Sequence, residues 1–225
     1  MPIIASVDIH YDMNRKKWVV NIVLAFTKIT GIIPGLLFFK PKIHLENGAK
    51  RRLPAPSILV SNHCSLMDFV LYLFVFPFRT VRFLMAEVLF NKGKFFASFL
   101  YALGGIFVDR NTKDFGFVSD SLEILDNGGV IGVFPQGRLP VNGKPFPFTV
   151  STAFIATHST APIIPVYTDG NYGLFKRANV VIGKEIYLAD YMEDGLSEDE
   201  QLKKLTEILE HKVYDLKNEI KSKGN

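Results

Sequence analysis

With a single cysteine, Cys64, in 225 residues, the chain has no internal disulfide framework and fits a reducing compartment. It contains no Gly-x-Ser-x-Gly elbow, which disfavours a serine hydrolase. No Gly-x-Gly-x-x-Gly opens a helix after a strand, which disfavours a dinucleotide enzyme. Internal repeats and low-complexity linkers are also missing. No basic stripe runs through the body of the chain, so nucleic acid is not expected as a partner. Long apolar runs are scarce: only residues 18–39 could cross a bilayer by length.

Aromatic residues are abundant by contrast. The 20 phenylalanines fall partly in tight clusters, such as Phe74-Phe76-Phe78 and Phe95-Phe96-Phe99. Each cluster alone could fill a core, but together they suggest a lipid-facing surface. Charge is uneven: residues 1–52 hold nine Lys and Arg against three Asp and Glu, while the remainder holds seventeen against nineteen. That basic end suits anionic lipid headgroups at a cytoplasmic membrane face. Within residues 18–39 stand Lys28, Gly31, Pro34 and Gly35. A lysine in mid-span costs about 3 kcal/mol, and a proline breaks or kinks a helix. Two short helices, 18–30 and 34–39, dipping into one leaflet are therefore expected, with a tilted single span as the alternative. Arg15, Lys16 and Lys17 precede the apolar run as in a signal peptide, but no small-residue cleavage site comes after it, so cleavage is not expected.

After residue 52 short apolar runs at 57–61, 81–85, 105–108, 130–134 and 163–167 alternate with helix-length stretches at 66–76, 87–103, 113–127 and 150–159. A longer strand is expected over 178–187, and Pro165 marks a bulge or an edge. This alternation predicts an α/β fold: a mostly buried mixed sheet flanked by helices, with a short N-terminal membrane-docking helical element. The expected domain organisation is a docking segment over 1–52 and an α/β domain over 53–225. Leu202, Leu205, Leu209, Val213, Leu216 and Ile220 recur at helical spacing behind a Ser197–Glu200 capping box, giving a surface helix without chemistry.

Chemistry concentrates at strand ends. Asn62, His63, Cys64, Ser65, Leu66, Met67 and Asp68 come directly after the strand at 57–61. Asp68 falls about one turn into the next helix, where its carboxylate can turn back to the imidazole, fix its tautomer and leave the other nitrogen free to take a proton. On spacing alone a helix-capping histidine neutralised by an aspartate fits equally. Gly104 to Arg110 and Val133 to Arg138 each deliver an arginine to a strand end, where two could clamp one phosphate. Singly, each could be a surface ion-pair residue. A fourth run, Ala161 to Val166, reads as an apolar wall.

Taken in order, these four blocks resemble those of the glycerolipid acyltransferases, the 1-acylglycerol-3-phosphate acyltransferase family, over roughly residues 55–185. The resemblance implies His63 as general base and Asp68 as its orienting partner. It implies that Arg110, Phe134, Pro135, Gln136, Gly137 and Arg138 bind the acceptor's phosphate and glycerol. The donor would be acyl-CoA or an acyl carrier protein thioester, the acceptor a lysophospholipid, and the product phosphatidic acid. No metal or organic cofactor is implied, and the chain would be a membrane-associated transferase of phospholipid biosynthesis.

Two departures bear on the acceptor. The family's third block usually reads Phe-Pro-Glu-Gly-Thr-Arg, whereas Gln136 replaces the glutamate here and Arg138 comes one place early. An amide keeps its hydrogen bonds but loses the charge. Thr149 and Ser151 stand where the family often has Lys and Gly. Another lysolipid acceptor, or a non-catalytic lipid-binding relative, is therefore the alternative to the main reading.

Overall fold

The computed structural model describes residues 13–110 and 115–222. Seven strands form one sheet: β1 (Lys42–Leu45), β2 (Ser57–Ser61), β3 (Val81–Ala86), β4 (Ile106–Val108), β5 (Val130–Val133), β6 (Ile163–Thr168) and β7 (Asn179–Ile182). Their order is β1-β7-β6-β2-β5-β3-β4. All neighbours are parallel except β6 and β7, so the sheet is mixed, as the strand and helix pattern predicts.

Helices cover both faces. On one side lie α1 (Met13–Phe39), α2 (Asp68–Val75), α3 (Glu87–Phe90) and α4 (Lys94–Ala102), packed over Leu59, Phe83 and Ile164. The opposite face carries α5 (Gly116–Asp126), α6 (Ser151–Thr157) and α7 (Glu198–Asp215), packed over Ile58, Val60 and Ile131. Central β2 is buried at all five positions, since its alternate side chains enter different cores. The Ser197–Glu200 capping box is present, but the tail divides at Leu216 into α7 and α8 (Lys217–Ser222).

Four elements differ from expectation. The first is α1, one continuous helix rather than two. Gly31 and Gly35 sit one turn apart against Phe74 of α2, and a Cβ on Gly35 would overlap that ring. The glycines are a groove for Phe74, so packing offsets their low helix propensity. Lys28 lies on the protein side, donating to the carbonyls of Pro77 and Arg79 at 2.9 and 2.7 Å, so its charge has local partners.

Second, the helix expected over 87–103 is split by Gly93 at φ 137°, a backbone setting that side chains rarely adopt. Third, the strand expected over 178–187 stops at Ile182. Val166 pairs with Ile182, yet Ile163 bridges Ile186, so the second strand carries one extra residue there. That bulge lies at Pro165, which has no N–H to donate. Fourth, β1 joins the sheet edge parallel to β7. The sheet thus takes in residues from the segment read as docking. The helix expected over 113–127 is seen from Gly116, its first residues lying outside the described ones.

Candidate active site

The carboxyl end of β2 turns directly into the reactive segment. Asn62 carries the ladder one residue beyond the strand: its amide exchanges two 2.8 Å hydrogen bonds with the backbone of Thr168 at the end of β6. His63 comes next, with its direction fixed. Its Nδ1 lies 2.7 Å from Asp68 Oδ2. Asp68 opens α2 and is completely buried. Its Oδ2 also accepts from the backbone N–H of Cys64 at 2.6 Å and of Ser65 at 2.9 Å, while Oδ1 accepts the Tyr172 hydroxyl at 2.5 Å. Four donors around one acidic side chain match the acceptor-only pattern of an ionised carboxylate. That carboxylate holds the imidazole proton on Nδ1 and leaves Nε2 for the cavity.

Aromatic packing fixes the ring plane. Phe134 stacks on His63 with centroids 4.3 Å apart and planes 15° from parallel, and Phe83 stacks behind Phe134 at 5.4 Å. Gly132 makes room for this stack, since a Cβ there would overlap Phe83. Cys64, beside His63, is no ready nucleophile. Burial first, then the charges of Asp68 and Asp169, push its thiol up to about 12.

His63 stands at a cavity of about 570 Å³ whose wall is largely apolar, with Phe69, Met85, Val88, Leu89, Phe117 and Leu139 in its lining. Arg110, Pro135, Gly137 and Arg138 join that lining, so the structure brings all of these sequence candidates to one space. Arg110 meets Glu87 bidentately, Nε and Nη2 each at 3.1 Å, and Nη1 donates to Gly137 O at 2.7 Å. The Arg110 hydrogen bonds hold the Glu87 carboxyl below its ordinary range. Arg110 thus braces the turn that it shares a wall with. Arg138 lies over Phe146, 4.9 Å from the ring centroid.

Gln136 differs from its neighbours, lying behind the wall at 3% exposure. Its Oε1 accepts from the backbone N–H of His63 at 3.1 Å and its Nε2 donates to the Tyr214 hydroxyl at 3.0 Å. Thr149 and Ser151 line the cavity, and the Thr149 hydroxyl donates to Pro135 O at 2.9 Å. Among the described residues, no three His, Cys, Asp or Glu side chains converge as metal ligands. Sequence reading missed Glu87, Tyr172 and Tyr214. Of these only Glu87 carried a signal, as an acid directly after a strand.

The Acyltransferase family profile matches residues 42–169, from the start of β1 past the end of β6. The chain belongs to the acyltransferase family. It is 26% identical over 179 residues to the 1-acyl-sn-glycerol-3-phosphate acyltransferase of Bacillus subtilis (strain 168), covering 76% of this chain and 87% of that protein. It is 32% identical over 114 residues to the human 1-acyl-sn-glycerol-3-phosphate acyltransferase alpha, covering 49% of this chain and 40% of that protein. Among solved structures, it resembles the crystal structure of the 1-acyl-sn-glycerophosphate (LPA) acyltransferase PlsC from Thermotoga maritima. There the TM-score is 0.58 and the identity 25%, covering 93% of this chain and 84% of that one. This acyltransferase is thus an O-acyltransferase of phospholipid biosynthesis with the expected α/β fold. Tyr172 and Tyr214 lie beyond the matched stretch.

Proposed function

We propose that the acyltransferase moves an acyl chain from acyl-CoA or an acyl carrier protein to the free hydroxyl of 1-acylglycerol-3-phosphate, giving phosphatidic acid. His63 Nε2 takes the hydroxyl proton as the alkoxide oxygen attacks the thioester carbonyl. Collapse of the adduct breaks the C–S bond, and the imidazolium returns the proton to the departing sulfur. Asp68 keeps the tautomer and stabilises the imidazolium. The apolar cavity takes acyl chain, and Arg110, Arg138 and the cavity-lining residues Phe134, Pro135 and Gly137 of the turn receive the phosphate and glycerol. One observation carries this reading: the 2.7 Å Nδ1–Asp68 contact turns the second ring nitrogen to an apolar space walled by two arginines. Relatives bearing the name of that activity support it.

The same reading places the enzyme on the cytoplasmic face of a membrane, with residues 1–52 as the docking segment and 53–225 as the catalytic domain. Residues 20–39 of α1 are long and apolar enough to cross a bilayer by length and composition. Ile22, Phe26, Ile29, Ile33 and Leu36, at four- and three-residue steps, leave one helical stripe of large apolar side chains exposed. Phe78 and Phe95 are also exposed, beside the Lys28 contact and on α4, which packs against α1.

The test is thiol release from acyl-CoA in the presence of a lysolipid panel, with wild type and His63→Ala. Removing a base that acts in the transition state lowers turnover about 10² to 10⁴-fold. Undiminished release by the variant sinks the mechanism, and strict preference for the phosphomonoester separates lysophosphatidic acid from other acceptors.

A further inference from the structure

Asp68 has two oxygens with different duties. Oδ2 faces His63 and two backbone N–H groups, while Oδ1 is held by Tyr172. Tyr172 belongs to the loop between β6 and β7, far along the chain from Asp68. Its hydroxyl also lies 3.3 Å from Thr168 Oγ1, at the strand end that Asn62 clamps. Burial and the neighbouring Asp68 push the phenol well above its ordinary range, so it stays protonated and donates. Gly170, at φ 66°, lets this loop lie against Cys64: a Cβ there would sit 2.7 Å from the Cys64 Cβ.

The same loop is fastened to the end of α1. The Tyr172 ring meets Phe39 edge-on, with centroids 5.2 Å apart and planes at 80°. Gly173 N–H donates to Phe38 O at 3.0 Å, Ala178 N–H donates to Phe39 O at 2.9 Å, and the Lys40 ammonium donates to Leu174 O. Phe39 is the last residue of α1 and is 1% exposed. An unbroken run of contacts therefore joins the apolar helix to the base: Phe39, Tyr172, Asp68, His63.

We propose that Tyr172 is a positioning residue for acyl transfer, holding Asp68 from the side away from His63 and tying that setting to the end of α1. The proposal rests on His63 being the base. A carboxylate turns about a soft terminal torsion, and the Tyr172 hydroxyl is the side-chain donor that stops Oδ1 from swinging. Without it, Oδ2 drifts from Nδ1 and the imidazole loses its setting.

Kinetics of Tyr172→Phe, His63→Ala and the double variant, measured with acyl-CoA and 1-acylglycerol-3-phosphate, test this. Tyr172→Phe lowers kcat about tenfold, less than the roughly hundredfold that a gross misplacement costs. It leaves KM for the acceptor within about twofold, as for an interaction that acts in the transition state. In the His63→Ala background the same change has no effect, because its route runs through the base. An equal loss in both backgrounds, or an unchanged kcat, overturns the proposal. His63→Ala retaining full activity overturns the base itself, whatever Tyr172→Phe does. Phe39→Leu tests the link to α1: it lowers kcat a few-fold when Tyr172 is present and not in the Tyr172→Phe background, and an effect in both backgrounds removes that link.

Discussion

Replacing Gln136 separates a brace from a substrate contact. The side chain is 3% exposed and spans from the His63 backbone N–H to the Tyr214 hydroxyl, at 3.1 and 3.0 Å. Gln136→Leu keeps much of the volume and removes both bonds. A buried N–H left without an acceptor costs about 1–3 kcal/mol; Tyr214 is only partly buried and turns to water. At about 2–4 °C per kcal/mol for a chain of this size, the melting temperature falls by about 2–12 °C. The unsatisfied N–H belongs to His63, the proposed base, so kcat falls with stability. Gln136→Glu behaves differently, since a carboxylate accepts from His63 N–H and also from Tyr214 O–H once that hydroxyl reverses. Its cost is a buried charge, offset by two charge-assisted bonds. Because Gln136 lies behind the cavity wall, neither variant alters the ranking of lysolipid acceptors. Melting curves and the acceptor panel read both quantities. A changed headgroup preference in Gln136→Glu, with melting unmoved, would refute this account and return the residue to the acceptor.

Cys64 is expected to resist alkylation in the folded enzyme. A thiol titrating at about 12 is thiolate in only about one molecule in ten thousand at pH 8, and that fraction rises tenfold per pH unit. Iodoacetamide labelling should be slow when native and fast in denaturant; rapid native labelling at pH 8 contradicts the burial. On α1, Ile29 and Ile33 are 74% and 70% exposed, so Ile29→Glu/Ile33→Glu leaves melting nearly unchanged. Each lost apolar side chain removes about 1.5–3 kcal/mol of transfer free energy, so partitioning onto anionic vesicles falls about 100-fold or more. Flotation reads this, and unaltered binding would move the membrane face elsewhere.

The parts of this enzyme that sequence made legible are those written in local spacing. His63 and Asp68 lie five residues apart, so a strand, a loop and one helical turn suffice to foresee their contact. The parts that stayed hidden join distant segments. Tyr172 meets Asp68 across 104 residues, and Tyr214 meets Gln136 across 78. No periodicity points from one to the other. The unbroken α1 was hidden for a related reason: its glycines and proline read as breakers until Phe74, from another helix, is seen filling the groove. β1 escaped because four residues give little alternation and one of them, His44, is buried and paired with Asn179 at 3.2 Å.

A single geometric rule nevertheless connects most of the site. His63 comes after β2, Glu87 after β3, Arg110 after β4, the Phe134–Arg138 turn after β5, and Tyr172 after β6. These five strands run parallel, so their carboxyl ends share one edge, and the residues leaving each strand are delivered there. Residues scattered over more than a hundred positions meet because the sheet sorts them by direction. Glu87 could have been found by inspecting the first residues beyond β3, and its bidentate grip on Arg110 explains why an acid belongs beside a proposed phosphate site. Without Glu87 the guanidinium would be free to swing away from Gly137; with it, the arginine and the turn keep one shape before any acceptor arrives. Preorganisation of this kind lowers the ordering cost of binding. The carboxyl edge of the sheet is therefore where the proposed chemistry of this acyltransferase is assembled, and the long-range pairs behind that edge hold its residues in place.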